Sequence, residues 1–247
     1  MKFCLTLQLK EKYLPVEYRR AFLSYLKNAL TKCNSGKYYE KFFKDTNPKD
    51  YCFDIILTNP KFTKDEVLLD SNEIKVIFST SSKSKTGFIL FSAFIAQKDK
   101  VYPLPNNNHM VLKSIHEEKQ EKIVSSRAIF KTTLGGGICV REHDKETNKD
   151  RYYTYEDKEF REKIKVTITN QVLKAGFSQQ EANDIQVNPI QCKKVVVKHY
   201  NRYIDVTTGM LEIQATKDIL QHFYEVGVGS RRSMGFAMLN LITQDLV

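Results

Sequence analysis

Apolar and polar residues alternate strictly over Met1–Lys10, with Phe3, Leu5, Leu7 and Leu9 on one side and Lys2, Cys4, Thr6, Gln8 and Lys10 on the other. A period of two marks a half-buried strand. Pro15 suits the first turn of a helix, and Phe22, Leu23, Leu26, Ala29 and Leu30 then recur at helical spacing to about Lys32. Asn34-Ser-Gly36 breaks that run, and a shorter helical piece, Lys37 to Lys44, follows. Tyr51 to Leu57 and Glu73 to Thr80 read as strands. Helical spacing returns at Phe88, Phe91, Phe94 and Ile95, a turn-forming stretch runs from Pro103 to Asn108, and Met110, Leu112 and Ile115 begin a last strand. The order β-α-β-β-α-β predicts a ferredoxin-like unit, an antiparallel sheet with both helices on one face.

The charged stretch Glu117 to Lys122 closes that unit, and the same order begins again. Ile129 to Val140 is strand-like but interrupted by Gly135-Gly136-Gly137, and residues 142–151 are charged and turn-rich. Phe160, Ile164, Ile168 and Val172 mark a long helix ending at Gly176. Ser178-Gln-Gln-Glu181 is a capping box. Lys193 to Tyr200 and Met210 to Ala215 read as a strand pair, Thr216 to Tyr224 as a helix, and Met234 to Ile242 as a closing strand. The expected architecture is α+β: two tandem ferredoxin-like (βαββαβ) domains with antiparallel sheets, residues 1–122 and 123–247. The duplication lies in element order alone, since no residue-level repeat is visible.

Charge changes the picture from fold to partner. Lys and Arg total 39 against 29 Asp and Glu, a formal charge of +10. An excess of that size favours a polyanion, through phosphate contacts and counterion release. Anionic membrane is the weaker alternative, because no apolar run approaches the ~18 residues of a spanning helix. Cys4, Cys33, Cys52, Cys139 and Cys192 are odd in number and scattered, which suits reduced thiols and a cytoplasmic location. The first ten residues alternate instead of forming the continuous apolar core of a signal peptide. No cysteine pair and no histidine pair with carboxylates stands at metal-ligand spacing, so neither a metal nor another cofactor is expected.

The chain is organised around Gly227-Val-Gly-Ser-Arg-Arg-Ser-Met-Gly-Phe-Ala237. Three glycines in nine residues permit φ > 0 and close backbone approach. Backbone N–H groups in such a turn can cradle an anion, and Arg231 and Arg232 add two guanidinium forks for phosphate. The turn runs from helix to strand, opposite to a Rossmann or phosphate-loop turn, which excludes both.

Set after two ferredoxin-like units, this stretch resembles the G-x-G-x(5)-G-[FL]-G element of the CRISPR-associated RAMP-superfamily endoribonucleases that cut precursor CRISPR RNA within its repeats. Gly227, Gly229, Gly235 and Phe236 match it, and Ala237 stands where the family has a last glycine. Lys2-Phe-Cys-Leu-Thr-Leu, the helix ending Lys27-Asn-Ala-Leu30 and the turn Asn47-Pro-Lys49 also fit. The resemblance implies a protein that binds repeat RNA and cleaves it without metal, the 2′-hydroxyl attacking the scissile phosphate to leave 2′,3′-cyclic phosphate and 5′-hydroxyl ends. Its partners would be repeat RNA and, in some members, interference-complex subunits or a second copy of the chain. The alternative is a subunit that holds guide RNA without cutting it.

Many members of the family place a histidine beyond the first helix, with a tyrosine before it and a lysine after it. Here Phe42 and Phe43 occupy that region and the first histidine is His109. Lys49 matches the lysine, while Lys27 falls at the tyrosine's place. Lys37, Tyr39 and Lys49 are therefore the candidate catalytic residues. The lysines would stabilise the charge of a phosphorane and the tyrosine would position the 2′-hydroxyl. For RNA binding the candidates are Gly227, Gly229, Ser230, Arg231 and Arg232 of the glycine turn, together with Lys131, Lys193, Lys194, Lys198 and Arg202. The last four alternate with aromatic residues through Tyr203, a pattern suited to backbone contacts and base stacking.

Overall fold

The computed structural model describes residues 1–44 and 47–244. The chain divides into two compact units. The first comprises Met1–Gln120 with the short stretch Lys198–Arg202, and the second comprises Glu121–Val197 and the chain from Tyr203 onward.

In the first unit, strands β1 (Lys2–Leu9) and β2 (Tyr13–Pro15) precede helix α1 (Tyr18–Lys32) and a short α2 (Tyr39–Phe43). Strands β3 (Tyr51–Ile56), β4 (Lys61–Phe62), β5 (Glu66–Leu68) and β6 (Glu73–Thr80) follow, then α3 (Thr86–Ile95), β7 (Val101–Pro103) and β8 (His109–Glu118). The main sheet runs β3-β6-β1-β8-β7, and all its pairings are antiparallel. Leaving aside the edge strand β7, the second, third, first and fourth strands of the predicted unit lie side by side, which is the ferredoxin-like order.

The apolar side of β1 supplies Phe3, Leu5 and Leu7 to a core rich in aromatic rings. Phe78 lies at its centre, with ring centroids 5.2 Å from those of Phe3, Phe53 and Phe94, and α1 adds Phe22 and Tyr25. Pro15 ends β2 instead of opening α1; Pro15 pairs with Glu66 in a small separate sheet, β2-β5-β4. Asn34 and Ser35 both take left-handed φ values, 46° and 53°, and terminate the first helical run as their sequence suggests.

The second unit contains β9 (Arg127–Thr132), β10 (Val140–Asp144), β11 (Lys149–Tyr153), α4 (Phe160–Lys174), α5 (Gln179–Asn183), β12 (Gln186–His199), β13 (Arg202–Gln214), α6 (Lys217–Val226) and β14 (Leu239–Thr243), with the ends of β12 and β13 counted in the first unit. Its sheet runs β12-β13-β9-β14, again the second, third, first and fourth strands of a ferredoxin-like unit. Phe130, Leu211 and Ile213 of the sheet bury against Ile164, Ile168 and Val172 of α4 and Ile219, Leu220 and Phe223 of α6.

Two further features differ from the sequence reading. Residues 142–151, read as a charged turn, belong to a hairpin, β10 paired with β11 from Val140↔Tyr153 to Asp144↔Lys149. Polar residues fit there because one side of a two-stranded ribbon faces water, and Asp144 closes its turn by accepting from the Glu146 N–H at 2.9 Å. The second strand pair is also far longer than expected and folds back at Tyr200-Asn201. Both residues have φ > 0 (51° and 58°), as a two-residue type I′ turn requires.

Candidate nucleic-acid interface

In the first unit, α2 is anchored by Phe42, which is buried and meets Tyr51 of β3 edge-on at 6.0 Å. Helical spacing sets Tyr39 and Phe43 one turn apart on another side. Their rings are 5.5 Å apart, and the Lys27 ammonium sits 5.0 Å from the Phe43 centroid. Lys27 and Tyr39 are thereby joined through Phe43. Lys37, just after the 3-10 turn Cys33–Gly36, is solvent-exposed, and Lys49, just before β3, is half-buried.

The Lys198–Arg202 stretch also belongs to this unit. The Asn201 N–H donates to Glu17 Oε1 at 2.8 Å and the Tyr200 ring lies 5.3 Å from the Arg20 guanidinium. Lys198 is half-buried and Arg202 is exposed. His199, which lies among the cations of this run, is only 2% exposed and packs edge-on against Tyr200.

In the second unit, Lys131, Lys193 and Lys194 are exposed. Lys131 shares a face of β9 with Arg127 and Ile129 by strand alternation. Lys194 makes a 2.7 Å ion pair with Asp205, and that hydrogen bond raises its affinity for a proton.

The glycine turn is built differently from the open anion cradle that its sequence suggests. Gly227, Val228, Gly229 and Gly235 are buried. The Gly227 N–H donates to Phe223 O, closing α6; Val228 N–H donates to Ala237 O, and Ser230 N–H to Cys139 O. The Gly229 N–H donates to the side-chain oxygen of Gln171 at 3.1 Å, while the Gln171 amide N–H donates to Gly227 O at 2.8 Å. These four successive N–H groups are thus committed to protein acceptors, so no anion-binding concavity forms from them.

The two arginine forks are likewise engaged by the protein. Arg231, in the left-handed conformation (φ 58°), donates to Tyr152 Oη at 2.7 Å and to Asp150 Oδ2 at 3.3 Å. Arg232 donates to Val226 O at 3.0 Å, near the end of α6. Their first role is to pin the turn, in part onto the hairpin.

Asp150 is the hub of that attachment. Arg141 reaches its Oδ1 at 2.6 Å, His143 Nδ1 lies 2.8 Å from the same oxygen, and Tyr152 Oη donates to Oδ2 at 3.1 Å. Desolvation favours the protonated acid, but the bonds from Arg141, His143 and Tyr152 outweigh it and hold the carboxyl well below the usual carboxylate range. Burial pushes the thiol of Cys139, beside this cluster, up to about 12 despite the nearby Arg231 and Arg141.

Gln171, Arg141, Asp150 and Tyr152 escaped the sequence reading. The turn-forming run Asp144 to Asn148 is a local sign of the hairpin, but the strands on either side of it do not alternate apolar with polar residues. Gln171 has no local signature, because its partners lie more than fifty residues away.

Ala237 carries a cost that its sequence match only hints at. Its φ is +68° where a glycine would be at ease, and its methyl is fully buried beside Cys139, Ile204 and Val206. Left-handed strain of about 1 kcal/mol or somewhat more opposes about 0.8 kcal/mol gained by burying the methyl. Ala237→Gly is therefore expected to change unfolding free energy by less than about 1 kcal/mol in denaturant titration. A loss several times larger would show that the methyl's packing outweighs the backbone strain.

The family described as CRISPR associated protein Cas6, C-terminal, matches residues 116–241, just over half of the chain. Among solved structures, an RAMP protein binding different RNA substrates superposes with a TM-score of 0.80 at 17% identity, covering 98% of this chain and 100% of that one. A Cas6-related protein from Pyrococcus furiosus also gives 0.80 at 17% identity, covering 99% of both chains. A Cas6 product complex gives 0.69 at 12% identity, covering 98% of this chain and all of that one. At these identities the structural likeness establishes the fold. No curated protein matches the chain by sequence.

Proposed function

Because the chain belongs to the CRISPR-associated Cas6 family, we propose that it is an endoribonuclease that binds CRISPR repeat RNA and cleaves the precursor by metal-independent transesterification. The observation that carries this reading is the family match over residues 116–241, which spans the glycine turn and the strands around it. Proteins of the same fold support it, one described as an RAMP protein binding different RNA substrates and one as a Cas6 product complex.

In the proposed reaction the 2′-oxygen attacks phosphorus in line as its proton leaves, and the P–O5′ bond breaks as the departing oxygen takes up a proton. Products are a 2′,3′-cyclic phosphate and a 5′-hydroxyl, with no water consumed. Tyr39 positions the 2′-hydroxyl, and the Lys37 and Lys49 ammonium groups stabilise the phosphorane's charge. Backbone phosphates are held by the exposed Lys131, Lys193, Lys194 and Arg202, and by Lys198. The glycine turn contributes mainly by shaping the second unit: Gly227 and Gly229 are buried, and contact with RNA falls to Ser230, Arg231 and Arg232.

Repeat RNA incubated with the protein in EDTA should be cut to cyclic-phosphate products. Tyr39→Phe and Lys49→Ala should each slow single-turnover cleavage by roughly ten- to a hundredfold, within the range of positioned polar groups, while RNA affinity stays within a few-fold. Binding without cleavage would instead support a guide-RNA-holding subunit of an interference complex. That reading is motivated by the absence of any histidine before His109. Loss of cleavage on His222→Ala alone would move the chemistry away from α2.

A further inference from the structure

No linear spacing among the cysteines and histidines suggests a metal site, yet strand pairing assembles a set of donors in the first unit. In the antiparallel pairing of β1 with β8, Cys4 stands opposite His116 and Lys2 opposite Glu118. Directly opposed residues share a sheet face, as do residues two apart on one strand. Cys4, His116 and Glu118 therefore project from the same side, opposite to the face carrying Phe3 and Leu5. One donor atom from each, a thiol sulfur, an imidazole nitrogen and a carboxylate oxygen, all lie within 4.8 Å of one another.

We propose that Cys4, His116 and Glu118 form a site for a single zinc-class divalent cation, with water completing a tetrahedron. Bonds of about 2.0–2.3 Å set tetrahedral donors roughly 3.3–3.7 Å apart, so donor pairs that lie up to 4.8 Å apart need to close by up to about 1.5 Å. Cys4 is buried and fixed, whereas His116 is exposed and Glu118 half-buried, so rotation of these two side chains supplies the movement. A mixed sulfur, nitrogen and oxygen set suits zinc and its neighbours, while magnesium and calcium take oxygen donors.

Other charges define the competition for the site. Lys2 Nζ lies 3.8 Å from Glu118 Oε2, so an entering cation displaces an ammonium group. Burial first, then the Glu118 charge, push the Cys4 thiol up to about 11; Lys75 and Lys2 oppose this, and Glu73 adds to it. Binding as thiolate releases that proton.

The test uses the full chain, reduced and stripped with EDTA, titrated with Co²⁺ without oxygen. A single Co²⁺ should bind with a thiolate-to-cobalt charge-transfer band, and Zn²⁺ should displace it. Cys4→Ser should abolish the band and weaken binding at least tenfold, and His116→Ala should weaken it similarly. Lys2→Ala, which removes the competing ammonium without touching a ligand, should tighten binding several-fold. Absence of the band, its survival in Cys4→Ser, or indifference to Lys2→Ala would overturn the site.

Discussion

Replacing Gly229 by alanine is expected to lower the stability of the second unit by about 3–5 kcal/mol, a large part of the 5–15 kcal/mol that holds a typical domain together. Two costs combine. Gly229 has φ +103°, a conformation that side-chain-bearing residues rarely adopt, and such strain alone costs about 1–3 kcal/mol. A methyl there would also lie 2.8 Å from the Cys139 carbonyl oxygen and 3.3 Å from Ile138 Cγ2. That oxygen is backbone and already accepts the Ser230 N–H at 2.8 Å, so it can yield only by breaking the bridge that holds the turn.

Gly176→Ala separates the two effects. Gly176 has φ +92°, but a methyl there meets nothing within 4 Å, so the strain acts alone and should cost about 1–2 kcal/mol. By calorimetry, Gly229→Ala should lower the melting temperature of its unit by roughly 10 °C or more, and Gly176→Ala by clearly less. Equal losses would show that the close approach to Cys139 is not what demands glycine.

The fold was legible wherever one face of an element is buried. The alternation over β1 and β6 and the helical spacing of α1 and α4 report which side meets a core, and that property is local. Element order then led to two ferredoxin-like sheets. The β10–β11 hairpin was hidden because its buried residues are few and its polar ones pair across the two strands, as Arg141 with Asp150 and Glu142 with Tyr153, or with distant residues such as Arg231. The glycine turn was located correctly but its internal wiring was not. Glycines and arginines in a turn are equally compatible with facing a phosphate and with fastening the turn to its own protein. Only the acceptors decide, and Gln171, Cys139, Asp150 and Val226 lie in other elements. Cys4 with His116 and Glu118 shows the same limit: their proximity follows from register, which no spacing along the chain encodes.

Gln171→Leu should also be strongly destabilising, by about 2–6 kcal/mol, from two buried backbone groups left unpaired at about 1–3 kcal/mol each. Gln171 lies on the core side of α4, 8% exposed, on the same helix face as Ile164, Ile168 and Val172. Apolar packing alone would therefore favour leucine there. Its amide instead makes a two-way clasp on the glycine turn, donating to Gly227 O and accepting from Gly229 N–H. Burying more methyl groups cannot replace this, because Gly227 and Gly229 are buried and a leucine side chain offers neither a donor nor an acceptor.

Gln171→Glu tests the donor half of the clasp. At neutral pH a carboxylate still accepts the Gly229 N–H but faces the Gly227 carbonyl without a proton to donate. Burial and that carbonyl both favour the protonated acid, so the folded-state pKa rises above the ordinary value of about 4.3. The variant should approach wild-type stability relative to its own neutral-pH value as pH falls below about 4, and lose stability as pH rises through the raised pKa. Denaturant titrations of Gln171→Glu, Gln171→Leu and wild type at acid and neutral pH measure this directly. If the difference between wild type and Gln171→Glu were the same at both pH values, the amide's hydrogen bond to Gly227 would not be what secures the turn.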